Sequence, residues 1–117
     1  MSSVAAEPVD LDHLARYTGG DRALNAEVLQ LFVGQAGTLM DQLQTVLDTR
    51  DAKTWRHITH SIKGAARGIG AFALADVAAE AEPLDLTQDN AAALIAIDTL
   101  KSRAEAVHRF VRAYLEA

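Results

Sequence analysis

The sequence predicts an all-α fold, an antiparallel up-down-up-down four-helix bundle with a short extra helix at its N-terminal end. Alanine and leucine dominate a chain that is 50% hydrophobic but only 5% aromatic, and such a composition favours helices. Apolar residues recur at intervals of three and four, and no segment alternates between apolar and polar residues as a strand would. Short polar connections separate the helical segments, which indicates antiparallel neighbours.

The first two predicted helices are marked by residues that start or end helices. Asp10 can cap a short helix from Leu11 to about Thr18, and Gly19-Gly20 ends it because glycine readily takes the left-handed conformation. Asp21 can cap a long second helix that reaches about Leu47. The apolar residues of that second helix recur at helical spacing: Leu24, Val28, Leu31, Phe32, Leu39, Leu43, Val46 and Leu47.

Gly34 and Gly37 lie inside the second predicted helix. Glycine costs up to ~1 kcal/mol relative to alanine in a helix interior. We therefore interpret both positions as places where a neighbouring helix packs closely.

The remaining three helices follow the polar turn 48–51. Asp51 can cap a third helix, from Ala52 to about Gly68, and a fourth runs from about Ala71 to Glu82, where Pro83 closes it. Asp89 or Asn90 can cap the last long helix. Its apolar stripe reaches the end of the chain: Leu94, Ile97, Leu100, Ala104, Val107, Val111 and Tyr114.

Length and composition define the domain organisation. The predicted division is a flexible N-terminal tail, residues 1–9, and one domain, residues 10–117, which is large enough to bury a core. The chain ends soon after the last helix, so we expect a stand-alone protein, although an excised domain would look the same.

Charge and residue usage exclude several classes of function. The net charge of −5 argues against general nucleic-acid binding, which needs a basic surface. Cysteine is absent, so disulfides, thiolate metal sites and cysteine nucleophiles are excluded. No apolar run approaches the ~20 residues that span a bilayer, and no signal peptide is recognisable. We expect a cytoplasmic protein.

The third predicted helix has two unlike faces at about 100° per residue. One face is ordinary core material: Trp55, Ile58, Ile62, Ala65, Ala66 and Ile69. The opposite face carries two imidazoles, four cations and a glycine: Lys53, Arg56, His57, His60, Lys63, Gly64 and Arg67.

His60 is the candidate functional residue on that polar face. A solvated surface histidine is the alternative, but Gly64 lies one turn on, where a glycine removes side-chain bulk and admits another molecule. A neutral imidazole nitrogen can capture a phosphoryl group, and an unperturbed histidine is mostly neutral near pH 7. Lys63 and Arg67 would disfavour the imidazolium form and then stabilise the added negative charge.

His57 and His60 are three residues apart and could in principle hold a metal. Cations surround them, however, and no carboxylate is near them in sequence on that stripe, so we expect no metal site. We interpret His57 as a neighbour that shapes a docking surface, and His13 and His108 as structural or surface residues.

No phosphate-binding loop, calcium loop or serine nucleophile motif is present, so catalytic groups for phosphoryl transfer would have to come from a partner.

The segment His60-Ser61-Ile62-Lys63-Gly64, followed by small residues and Gly70, resembles the signature of histidine-containing phosphotransfer (HPt) domains. Gly19-Gly20-Asp21, followed by Leu24, Glu27, Val28, Leu29 and Phe32, is similar to the entry into the family's first long helix. The resemblance covers about residues 11–115.

The resemblance implies a role for each matching residue. His60 would be phosphorylated on Nε2, Lys63 would be the cation beside it, and Gly64 would admit the partner. Arg67 and His57 add polarity where many relatives carry small or neutral residues, and with Arg56 we expect them to influence partner docking.

The resemblance also implies the partners. His60 would accept a phosphoryl group from a receiver-domain aspartate of a hybrid histidine kinase and pass it to a response-regulator aspartate. The receiver would bring Mg²⁺ and the acidic groups, so the chain would act as a histidine phosphotransferase without a cofactor of its own. Two alternatives stay open: a non-catalytic helical module that docks receiver domains, and the phosphotransfer domain of a chemotaxis-type kinase.

Overall fold

The structure is a computed structural model that describes residues 7–117, and this part of the chain is all-helical, without strands. It contains five helices: α1 (Leu11–Thr18), α2 (Arg22–Thr49), α3 (Ala52–Ile69), α4 (Phe72–Ala81) and α5 (Asn90–Glu116). The predicted number and order of helices are confirmed, with ends that differ by one or two residues. Part of the predicted tail, residues 1–6, lies outside the described residues. Val9 is only 1% exposed and belongs to the core.

Most helix ends follow the predicted capping. The carboxylates of Asp10, Asp21 and Asp51 each accept a hydrogen bond from the backbone N–H three residues on, which satisfies a donor that the first helical turn leaves free. Asp89 precedes α5 but makes no such bond, because its carboxylate accepts a hydrogen bond from the backbone N–H of Asp85. Asp89 therefore occupies the predicted N-cap position of α5 but does not cap the helix with its side chain.

The turn between α2 and α3 contains an unexpected backbone conformation. Asp48 and Thr49, which were predicted to lie in the turn, are still helical. Arg50 then ends α2 with φ 55°, a left-handed conformation that glycine usually occupies. Its N–H donates to the carbonyls of Leu47 and Val46.

Packing between the helices leaves α3 and α5 on opposite sides of the core. Helix α3 lies next to α2 and α4, and α5 lies next to the same two helices, whereas no Cα atom of α3 is within 8 Å of a Cα atom of α5. The short helix α1 packs on α2 and α3. The core between them is built from leucine, isoleucine, valine and alanine around the buried Trp55.

Gly70 fixes the N-terminal segment against the end of α3. It has φ 83°, and its carbonyl accepts a hydrogen bond of 3.0 Å from the N–H of Asp10. A Cβ atom at this position would lie 2.6 Å from the Asp10 carbonyl oxygen. Glycine is therefore required here both for the left-handed turn and for the close approach of Asp10.

A chain of side-chain hydrogen bonds joins three helices near the C-terminal end of α5. The Thr18 hydroxyl donates to Asn25 Oδ1 at 2.5 Å, and Asn25 Nδ2 donates to the Tyr114 hydroxyl at 3.1 Å. Arg22 lies over the Tyr114 ring, 4.3 Å from its centroid. These contacts link α1, α2 and α5, and they satisfy polar groups that would otherwise be costly to bury.

Several predicted core positions are wrong. Leu31 is 71% exposed, and Leu24 and Leu94 are 41% and 48% exposed. Gly34 and Gly37 do not mediate close packing, because a Cβ atom at either position would meet no atom of another element within 4 Å. The inward face of α2 instead includes buried residues that were not predicted: Asn25, Leu29, Ala36 and Met40.

Candidate functional site

Helix α3 is held by its apolar face. Trp55, Ile58 and Ile62 are buried as predicted, and the Trp55 indole N–H donates to the Ala81 carbonyl at 2.9 Å. Ala65, which was predicted for the same face, is only partly buried. Because the buried face is fixed against α2 and α4, the opposite face of α3 is turned to solvent.

His60 lies at the centre of the solvent face. Its side chain is 67% exposed, so another protein can reach the imidazole ring. Lys63 lies one turn further along α3 and is far less accessible, with 19% of its side chain exposed. The structure therefore places an exposed histidine next to a lysine on this face of α3.

Glu82, just after α4, joins these two side chains. Its Oε1 atom lies 2.7 Å from Lys63 Nζ, and its Oε2 atom lies 3.4 Å from His60 Nδ1. Glu82 was not predicted, because it is 22 residues from His60 in sequence. The turn at Gly70 could have indicated Glu82. If α3 and α4 fold back on each other at this turn, residues at similar distances before and after Gly70 come close together.

Glu82 is charged at neutral pH. The hydrogen bond from Lys63 is the main cause that lowers the pKa of the Glu82 carboxyl below its ordinary value, and partial desolvation opposes this effect. The positive charges of Lys63 and His60 lower the pKa further. The site therefore pairs a carboxylate with the Nδ1 side of the imidazole ring and leaves the Nε2 side for another molecule.

Gly64 gives access to the ring. It is exposed in the middle of α3, and a Cβ atom there would meet no atom of another element within 4 Å. The folded chain therefore does not need a glycine at this position. Its absent side chain leaves a gap one turn from His60, about 6 Å along the helix axis.

The other predicted docking residues form an exposed basic surface around this gap. Arg56, His57 and Arg67 are all exposed on α3, and so is Lys53. Among residues 7–117, every carboxylate lies more than 4 Å from the charged groups of Lys53, Arg56 and Arg67. This stretch of α3 is thus locally positive on an acidic chain, which suits an acidic partner surface.

The other two histidines lie away from this arrangement. The ring of His13 packs edge-on against Phe72 and Tyr17, with centroids 5.0 and 5.7 Å apart, and His108 is exposed on α5. Within residues 7–117, no group of three or more histidine or carboxylate side chains is arranged to hold a metal ion.

Fold and site together define an all-helical protein with an exposed histidine, His60, beside Lys63 on the basic face of α3. The Hpt domain family model matches residues 27–110, and the chain belongs to this family. No curated protein and no solved structure matches the chain significantly. Hpt domains take part in phosphotransfer in two-component signalling and interact with receiver domains. None of the helices between residues 7 and 117 is long and apolar enough to cross a membrane.

Proposed function

We propose that this protein is a phosphorelay intermediate whose phosphoryl carrier is His60. The phosphoryl group would come from a receiver-domain aspartate of a hybrid histidine kinase and would leave to a response-regulator aspartate. The observation that carries the proposal is the exposed His60 beside Lys63, with the open surface of Gly64 one turn away. The same arrangement would have little purpose in a module that only docks receivers.

Each neighbouring residue has a role in this proposal. His60 Nε2 attacks the phosphoryl group, because Nδ1 faces Glu82. Lys63 has three donors, so it can keep its bond to Glu82 and also stabilise phosphoryl oxygens. Gly64 admits the receiver, while Arg56, His57 and Arg67 contact its surface.

The receiver supplies the remaining chemistry. In-line phosphoryl transfer needs a metal ion to neutralise developing charge, and we propose that the receiver binds Mg²⁺ and contributes the acidic groups. The chain would then act as a histidine phosphotransferase only in the complex. Since its partners are a kinase and a response regulator, we propose that the protein works in the cytoplasm.

The fold proposal is consistent with this role. We propose that α2, α3, α4 and α5 form an antiparallel up-down-up-down bundle and that α1 is an addition at its N-terminal end. The contacts of α3 and α5 with α2 and α4, but not with each other, support this arrangement. We propose that the domain spans residues 10–117, with Val9 packed in its core.

Replacement of His60 tests the function directly. We expect His60→Gln to abolish acid-labile, base-stable phosphorylation by a phosphorylated receiver domain and to leave the helical circular-dichroism spectrum unchanged. His108→Gln is the matched control, because His108 is an exposed histidine on α5, outside the docking surface, and it should keep the label. Persistent labelling of His60→Gln would contradict the assignment, and wild-type protein that binds receivers but takes no label from any of a panel would favour the docking module.

A further inference from the structure

We propose that the groove between α4 and α5 binds a basic amphipathic helix of a partner protein. Helix α4 lies between this groove and α3, which carries His60. The proposal goes beyond the phosphorelay function and does not depend on it. Two observations support it: an exposed apolar surface at the start of α5, and carboxylates on both sides of the groove.

The start of α5 is apolar on every side. Residues 91–97 are all alanine, leucine or isoleucine, but only Ala93 and Ile97 are fully buried. Ile95 is 67% exposed and Leu94 is 48% exposed. A helix that is hydrophobic all round is normally buried all round, and a contiguous exposed apolar surface marks an interaction site. This end of α5 therefore has an apolar side that the rest of residues 7–117 leaves uncovered.

A groove of about 230 Å³ lies between this side of α5 and α4. Besides Glu80 and Thr99, the residues that line it are apolar: Val77, Ala81, Leu84, Ala92, Ile95 and Ala96. Residues 7–117 contain no strand, so a partner cannot bind here by adding a strand to a sheet edge. Side chains of one helix do pack into the groove between two others. The shape of this site therefore suits a helix with apolar residues along one side.

The part of the chain that forms the groove is strongly acidic. Between Arg67 and Lys101 there is no lysine, arginine or histidine, but there are six carboxylates: Asp76, Glu80, Glu82, Asp85, Asp89 and Asp98. This stretch alone carries six negative charges, whereas the net charge of the whole chain is −5. The rest of the chain is therefore close to neutral, and the acidity of the protein is concentrated around α4 and the start of α5.

The carboxylates beside the groove are free to interact with a partner. Glu80 lines the groove, Asp76 lies one turn earlier on α4, and Asp98 lies on α5 three residues after Ile95. All three are exposed, and among residues 7–117 no lysine, arginine or histidine nitrogen lies within 4 Å of their oxygens. Negative charges on both sides of an apolar groove attract a helix whose apolar side is flanked by lysine or arginine. An acidic receiver surface or a second copy of this chain would be repelled here.

Binding of synthetic peptides tests the nature of the partner. The probe is a fluorescein-labelled peptide with leucine at helical spacing along one side and lysine at its other positions. One comparison peptide has the same composition in scrambled order, and another has glutamate in place of lysine. We expect fluorescence anisotropy to show saturable binding of the probe, roughly tenfold weaker binding of the scrambled peptide and no binding of the glutamate peptide. Equal binding of the probe and the scrambled peptide would overturn the proposal, because charge alone would then explain it.

Substitutions locate the binding site. Ile95→Ser should weaken binding of the leucine–lysine peptide roughly tenfold, because it removes the most exposed apolar contact. Glu80→Gln should weaken binding several-fold at low salt and much less at about 1 M salt. Leu31→Ser and Glu27→Gln are the matched controls, because both residues are exposed on α2, a helix that is not a neighbour of α4 in the backbone packing. If Ile95→Ser binds the peptide as tightly as Leu31→Ser does, the assignment to this groove is wrong.

Two further measurements separate this proposal from other occupants and from the phosphorelay function. Amide chemical shifts should change on addition of the peptide at residues 77–84 and 92–99, and changes confined to α3 or to the groove between α2 and α5 would overturn the proposal. Sedimentation of the protein alone should show a monomer, whereas a dimer that Ile95→Ser dissociates would identify a second copy as the occupant. His60→Gln should bind the peptide like wild type, so a failure of phosphoryl transfer and a failure of peptide binding are distinguishable.

Discussion

Residue 64 is a glycine in the interior of α3 although no neighbouring element requires one. A helical glycine is less favourable than glutamine by roughly 0.5 kcal/mol, and the space where its side chain would project is empty. Gly37 on α2 is also exposed, and a Cβ atom there would meet no other element within 4 Å. The two glycines differ in location, because Gly37 lines the groove between α2 and α5, and α5 is not a neighbour of α3 in the backbone packing.

This difference allows a paired experiment. We expect Gly64→Gln and Gly37→Gln each to raise the free energy of unfolding by roughly 0.5 kcal/mol, since both replace a helical glycine without a clash. Only Gly64→Gln should slow phosphoryl transfer from a receiver, because its long side chain would occupy the gap beside His60. Urea denaturation and time-resolved transfer measure the two effects. Equal transfer rates for both variants would show that Gly64 does not provide access.

The sequence identified one half of the site. Residues on one helix share a face if they are three or four apart, so His60, Lys63 and Gly64 could be grouped without a structure. Glu82 could not be grouped in this way, because it reaches His60 from the end of α4. The expectation that only cations surround His60 was incomplete for the same reason.

At the scale of single elements, Asp51 starts the helix that carries the site. Its carboxylate accepts hydrogen bonds from the Thr54 hydroxyl at 2.7 Å and from the Thr54 N–H at 3.1 Å. These bonds, the one from the hydroxyl first, lower the pKa of the Asp51 carboxyl below its ordinary value. A carboxyl whose pKa is lower in the folded state stabilises that state above its ordinary pKa, and it loses this contribution as the pH falls through the folded value.

The cap therefore has a testable pH dependence. We expect Asp51→Ala to unfold at lower urea concentration than wild type at pH 7, and the difference to shrink when the pH is lowered through the folded-state pKa of Asp51. Asp48→Ala is the control, because Asp48 is an exposed aspartate on α2 outside the side-chain hydrogen bonds of residues 7–117. An equal loss for Asp51→Ala at pH 7 and below this pKa would contradict the capping role.

Helix starts were more predictable than burial. An aspartate before an apolar repeat makes a local contact with the next turn, so Asp10, Asp21 and Asp51 could be recognised from sequence. Leu31 and Leu24 point outward because another side of α2 packs against α3 and α5. The sequence does not show which apolar residues at the edge of a stripe will be buried. The left-handed conformation of Arg50 was not predictable either, because the turn between two packed helices imposes it against the residue's own preference.

At the scale of the whole molecule, charge is distributed unevenly over the surface, which bears on partner binding. The chain carries a net charge of −5, yet the exposed face of α3 presents Arg56 and Arg67 without a carboxylate within 4 Å among residues 7–117. The two arginines are eleven residues apart, about 16 Å along the helix, with His60 between them. A receiver with an acidic surface would be attracted to this face and repelled by most of the rest.

We therefore expect the association rate with an acidic receiver domain to depend on salt through this face. Arg56→Gln and Arg67→Gln should each slow association several-fold at low ionic strength, and the difference from wild type should fade at about 1 M salt, where screening extends over only about 3 Å. Arg103→Gln is the matched control, because Arg103 is exposed on α5, a helix that is not a neighbour of α3 in the backbone packing. Stopped-flow binding at two salt concentrations measures the rates. If Arg103→Gln slows association as much as Arg67→Gln, net charge rather than the α3 surface steers the partner.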